Sequence, residues 1–236
     1  MVWESRFAKE PILPFDIWKA PSFVPMIIAT FFTFMAVGIS LWYISLWNTE
    51  IRGYSILLNG ATFWALGLSG PIAAIASGKV IRYIPAEYIM AIGSLASTIS
   101  LTLVATQPAH QTYWAQTFPS LVIIALGPDF IFTASQIIAS NSVKRRHQGF
   151  AGTLIGTLAS YGLSTGLGFA ATVEAYTNDD GRNLVQGYRN ALYFGIGVAA
   201  CAMFIALFFI RIPKDTRDGW DEDDIPETAQ LPSKAA

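Results

Sequence analysis

The chain has 236 residues, of which 53% are apolar and only 13% charged, and its mean hydropathy is positive, whereas a soluble globular domain carries about a quarter charged residues. That balance calls for lipid as well as a packed core. A formal net charge of −1 excludes the strongly basic surface that nucleic acid attracts, and the lone cysteine, Cys201, excludes an intramolecular disulfide.

Residues 1–22 read as a polar cytosolic lead-in. Glu4, Glu10 and Asp16 together with several prolines do not fit a cleavable signal peptide with its basic start and short apolar centre, so the segment is expected to be retained. Six apolar stretches then follow within residues 23–211: Phe23 to Trp47, Ser55 to Ser77, Tyr88 to Thr106, Phe118 to Ser140, Phe150 to Val173 and Ala191 to Ile210. Each matches the roughly 20 residues of helix, at about 1.5 Å per residue, that cross a hydrocarbon core of about 30 Å. Buried strands are shorter, and lipid demands that each spanning segment satisfy its own backbone. The fold class is therefore all-α integral membrane, with six transmembrane helices. Residues 212–236, rich in Asp and Glu, read as a disordered cytosolic tail.

Basic residues set the expected orientation. With the N-terminus in the cytoplasm, Arg6, Lys9, Lys19, Lys79, Arg82, Lys144, Arg145, Arg146, Arg211, Lys214, Arg217 and Lys234 lie inside. Arg52, Arg182 and Arg189 lie outside. This follows the positive-inside rule and places both termini in the cytoplasm.

The spans carry distinct patterns. In the first, Thr30, Thr33 and Ser40 form a weak polar stripe, and in the second Asn59, Thr62 and Ser69 form another; such hydroxyls commonly bond to backbone or to a neighbouring helix. Gly67, Gly70 and Pro71 make a small-residue patch with an expected bend. In the fourth span, Asp129 falls near the bilayer midplane, where a carboxylate costs about 2.5 to 3.5 kcal/mol on insertion scales. It follows Gly127 and Pro128 and shares one face with Thr133, Gln136 and Ser140. Two roles are open: a cavity wall at which Asp129 binds substrate or carries a proton, or a carboxylate that satisfies backbone groups freed by Pro128. The fifth span places Gly152 with Gly156 and Gly162 with Gly166 at four-residue spacing, a groove for close helix approach either within this unit or on a partner. Cys201, in the sixth, reads as a small packing residue.

Enzyme chemistry finds no support. His110 and His147, the only histidines, fall in loops on opposite faces and cannot share a metal or assist one nucleophile. No phosphate loop or metal-ligand spacing appears, and no cofactor is implied.

The stretches YWAQTFPS (Tyr113 to Ser120), GPDFIFTASQIIASNSV (Gly127 to Val143), QGFAGTLIGTLASYGLSTGLGFAATVE (Gln148 to Glu174) and GYRNALYFGIG (Gly187 to Gly197) closely resemble the last helices of fungal major facilitator transporters. The nearest group is the fourteen-helix drug:proton antiporters, in the branch of aminotriazole-resistance, boron-export and low-affinity ammonium transporters. WESRFAKEPILPFDIW (Trp3 to Trp18) looks like the cytosolic lead-in to their C-terminal six-helix half, and Gly78, Lys79 and Arg82 look like a worn copy of the family's loop motif, lacking its acidic residue. The resemblance implies half of a major facilitator fold, in which the first and fourth spans line a cavity and the second and fifth meet the other half. It implies a proton-coupled carrier of a small molecule or ion in the plasma or vacuolar membrane. Its partners would be the bilayer and a missing N-terminal half or a second copy. A truncated or accessory protein without transport of its own is the alternative.

Overall fold

The computed structural model describes residues 22–141 and 148–211. The lead-in before Ser22, the cluster Lys144 to His147 and the acidic tail lie outside the described residues. Every regular element among the described residues is helical. α1 (Phe23–Leu46) runs into a π-helical turn over Trp47–Ile51, and these form the first span. α2 (Ile56–Thr62) and α3 (Trp64–Val80) form the second, α4 (Ala86–Thr106) the third, α5 (Thr117–Ile124) and α6 (Leu126–Asn141) the fourth, α7 (Gln148–Thr177) the fifth and α8 (Leu184–Phe209) the sixth. Six helical stretches are long and apolar enough to cross a membrane.

Several boundaries differ from hydropathy. The fifth span continues to Thr177 and the sixth begins at Leu184, because a helix with satisfied backbone does not stop where its side chains become polar. Both extensions carry ionisable groups, Glu174 and Arg189. The second span is interrupted at Phe63 and stays helical through Pro71. The interruption is stabilised locally: Tyr113 Oη donates to the Thr62 carbonyl at 2.6 Å. The fourth span breaks at Ala125, ahead of Pro128. Pro128 thus falls in the first turn of α6, where its missing N–H would have had no helical partner.

Side chains in the loops fix the helix starts. Ser55 Oγ accepts from the Leu58 amide at 3.2 Å and Asn183 Oδ1 from the Gln186 amide at 3.3 Å, each satisfying an orphan donor of the following helix. Between the fifth and sixth spans Asp179, Asp180 and Gly181 all have positive φ, at 54°, 52° and 82°, a left-handed run that reverses the chain in a few residues. Ser22 and Arg211 meet where the bundle begins and ends. Ser22 Oγ donates to the Arg211 carbonyl at 2.8 Å and accepts from its amide at 3.2 Å, so the chain enters and leaves on one face, here the near face.

Two apolar clusters fill the interior. Phe23, Met26, Ile89, Met90, Ile131 and Ile138 centre the one toward the near face. Tyr43, Trp47, Leu101, Leu121 and Tyr188 centre the one toward the far face. α1 packs extensively on α7 and α8, and α4 on α8 and α6. The second span is the least buried of the six. Cys201 is exposed on the sixth span, which corrects its reading as an interior packing residue.

Candidate functional site

Asp129 lies in the first turn of α6, so the break at Ala125 places a carboxylate beside the positive end of a helix dipole within the span. The side chain is partly buried. No described residue donates a hydrogen bond to it, and Asp129 caps no backbone group among the described residues. With 3.6 residues per turn, Thr133 sits about 40° to one side of Asp129 and Gln136 about 20° to the other.

The two flanking residues show what the Asp129 face looks toward. Thr133 Oγ1 shares a hydrogen bond with Ser77 Oγ of α3 at 3.0 Å. Gln136 Nε2 donates to the Gly152 carbonyl of α7 at 3.3 Å. Asp129 therefore points between the second and fifth spans. The opposite side of α6 is closed: a Cβ at Gly127 would run into Ser97 Oγ of α4. The Asp129 face thus carries a carboxylate that accepts no hydrogen bond from a described residue, flanked by two polar side chains already engaged in helix contacts.

Most hydroxyls of the first two spans bond to a neighbouring helix or back to their own backbone, Thr62 to the Asn59 carbonyl and Ser69 to the Ala65 carbonyl, while Ser40 Oγ is buried with no partner among the described residues. Thr30 pairs with Ser135 at 2.6 Å and Thr33 with Ser94 at 3.0 Å, both buried between helices. The glycines of α7 divide into two groups. Cβ atoms at Gly162 and Gly166 would fall 2.7 Å from the Phe31 carbonyl oxygen and 2.7 Å from Met35 Cα, respectively. These two glycines seat α7 on α1 within this unit, the first of the two placements open to them. Gly152 faces Gln136, and only Gly156 of the four meets open space. Gly78 also meets open space, and Lys79 and Arg82 are exposed at the near-face end of the second span.

The far face carries a polar network that hydropathy did not single out. Arg52 donates to Asn48 Oδ1 at 2.9 Å and Gln107 Oε1 at 3.1 Å. Thr117 Oγ1 donates to the same Gln107 oxygen at 3.0 Å, and Arg189 donates to the Gln107 carbonyl at 3.0 Å. Asn48 reaches across to Asn59 and Thr62. Burial pushes the Arg52 guanidinium below its ordinary range and raises the Tyr113 phenol. Gln107 thereby ties four spans together. Its legible signal was only a glutamine just beyond an apolar run.

Comparison with known proteins agrees with this architecture. Residues 3–168 match the Major Facilitator Superfamily. The low affinity ammonium transporter of Saccharomyces cerevisiae is 38% identical over 204 residues, 86% of this chain and 39% of its own length. The aminotriazole resistance protein of the same yeast is 34% identical over 206 residues, 87% of this chain and 38% of its own. Efflux pump terJ of Aspergillus terreus is 36% identical over 205 residues, 86% of this chain and 39% of its own. The chain spans about two fifths of the length of these relatives, which are named as transporters, a resistance protein and a pump rather than enzymes. With the family pattern covering most of its length, six apolar helices and these relatives, the chain belongs to the major facilitator superfamily.

Proposed function

We propose that this chain supplies the C-terminal half of a carrier for a small solute, and that Asp129 couples transport to protons. The observation that carries the reading is a carboxylate in the fourth span that accepts no hydrogen bond from any described residue, on the side of its helix that packs toward the second and fifth spans. A carboxyl held in partial isolation from water can change its protonation as the cavity opens to alternate sides, which is what a coupling group must do. The relatives' names place solute transport within the family's range, and their greater length fits a protein whose first part supplies the other cavity wall.

The test uses a transport-competent assembly, either the full-length protein or two halves expressed together. Asp129→Asn removes the titratable proton and breaks no hydrogen bond among the described residues, so it should insert and fold normally. Solute flux measured against an imposed proton gradient should lose its dependence on that gradient. Undiminished coupling in Asp129→Asn would remove this residue from the mechanism.

The basic-residue asymmetry supports a cytosolic near face. Single cysteines placed at Ser5 and Thr112 of a Cys201→Ser variant should react with an impermeant thiol reagent from the inside and the outside, respectively. Outside labelling at Ser5 would reverse the orientation.

A further inference from the structure

We propose that residues 54–62 form a strap over the far-face end of the solute path, which swings off the first span about Phe63 and is latched shut by Asn48. The proposal rests on the carrier reading above and adds a local gate to it. α2, the helical part of the strap, has 7 residues, whereas helices shorter than about 12 to 15 residues are marginal without tertiary support. Apolar packing supplies little of that support. Ile56 and Leu57 are 89% and 87% exposed, Thr62 is the one buried residue of α2, and α2 packs only lightly on the π-helical turn and on α3.

Polar side chains hold the strap instead. Asn48, fully buried in the π-helical turn, donates to Asn59 Oδ1 at 3.2 Å and to Thr62 Oγ1 at 3.1 Å. Asn59 Nδ2 donates in turn to Ser45 Oγ of α1 at 2.7 Å. Asn48 is fixed from its own side, because Arg52 donates to its Oδ1 at 2.9 Å and the Tyr54 amide donates to its carbonyl at 2.9 Å. Single π-helical turns of this kind recur where a helix does functional work.

The two ends of the strap suit a hinge. Ahead of it Gly53 has φ of 67°, which glycine adopts without strain. Behind it Phe63 stands at φ −78° and ψ 1°, in the bridge region between two helical segments. Beyond Phe63 the second span is anchored on the fourth: the Trp64 ring lies 5.7 Å from Phe118 and 6.4 Å from Trp114, and Ser77 pairs with Thr133. Tyr113, just ahead of α5, holds the Thr62 carbonyl from the same side. The strap is thus tied to the first span by side-chain hydrogen bonds and to the fourth by rings at its hinge. α1 packs on α6 but barely on α5, so at the far face α2 bridges the first and fourth spans. Breaking its bonds to Asn48 and Ser45 parts those two walls there, while Tyr113 and Trp64 keep the hinge in place.

Two measurements on the full-length protein test this. In hydrogen–deuterium exchange in detergent, backbone amides over residues 56–62 should exchange faster than those over 64–80, since sparse packing lowers the cost of local opening. Asn59→Ala, at a half-buried position, removes the bonds to Asn48 and Ser45. It should speed exchange over 56–62 by about three- to tenfold, as expected for one or two hydrogen bonds between membrane helices, and leave α3 at its wild-type rate. The second measurement joins Ser45→Cys to Asn59→Cys with dibromobimane, whose fluorescence reports the bridge, in a background cleared of other cysteines. The bridged carrier should lose solute flux, and Ser45→Cys alone, treated alike, should keep it. A strap that is only structural would leave flux intact when bridged. The proposal is overturned by that result, or by exchange over 56–62 that Asn59→Ala leaves unchanged. Failure of the proton-coupled reading is a separate result, because Asp129→Asn would then retain gradient dependence while the bridged carrier still lost its flux.

Discussion

At the scale of single residues, the charged groups within the spans differ chiefly in what neighbours allow them. Asp129 has polar neighbours on its own helix that are occupied elsewhere, and no described residue donates a hydrogen bond to it. Arg52 and Arg189 are absorbed by amide oxygens on Gln107 and Asn48. Thr133 shares the Asp129 face, and its hydroxyl is engaged with Ser77 across the helix interface. Thr133→Val should therefore act on stability first. Hydrogen bonds between membrane helices are worth about 0.6 kcal/mol on average, and Ser77 keeps its bond to the Ala74 carbonyl at 2.8 Å, so no buried group is orphaned. A drop of a few degrees or less in thermal unfolding in detergent is expected, with apparent solute affinity within about twofold of wild type, under 0.5 kcal/mol. A tenfold loss of affinity would mean that the hydroxyl reaches the solute after all.

At the scale of elements, the number and order of helices were legible because lipid imposes one strong rule, length of apolar run, on every span. Their ends were less legible. Hydropathy stops at Val173 and Ala191, while the backbone continues to Thr177 and starts at Leu184, since hydrogen-bonded helix persists through the interfacial zone where polar side chains are tolerated. The breaks in the second and fourth spans were not read, for a related reason. Proline draws attention in a sequence, but Pro71 lies within a continuous helix and Pro128 sits in a first turn. The interruptions at Phe63 and Ala125 depend on tertiary partners such as Tyr113 that no local pattern announces. Of the candidate site, the polar face around Asp129 was legible from its spacing alone. Its direction was not, because that depends on which helices receive Thr133 and Gln136.

At the scale of the molecule, the question is which surfaces this half completes internally and which it leaves for another. α7 answers it within one helix. Gly162 and Gly166 are consumed by the backbone of α1, at Phe31 and Met35, while Gly156 and Gly168 meet nothing within 4 Å. Exposed apolar side chains of the second span, including Leu68, Ile72 and Ile75, stand beside Gly60, Gly67 and Gly70, which are equally open. Lipid could cover these faces, but lipid gives no reason for glycine, which lowers helix stability by about 1 kcal/mol relative to alanine. Close helix approach does. Two substitutions in α7 should therefore part company. Gly166→Ala forces a Cβ into the Met35 backbone and should destabilise the isolated chain by about 1 to 3 kcal/mol, the range for overpacking a close contact, seen as a lower unfolding temperature in detergent. Gly156→Leu has space in the isolated chain and should leave its unfolding temperature within about 0.5 kcal/mol of wild type, as for a surface change. In co-expressed halves, where an N-terminal half would approach that face, Gly156→Leu should instead reduce co-purification of the two and lower flux. Equal recovery of both halves with wild type and Gly156→Leu would place the interface elsewhere, and an unaltered stability for Gly166→Ala would contradict the close seating of α7 on α1.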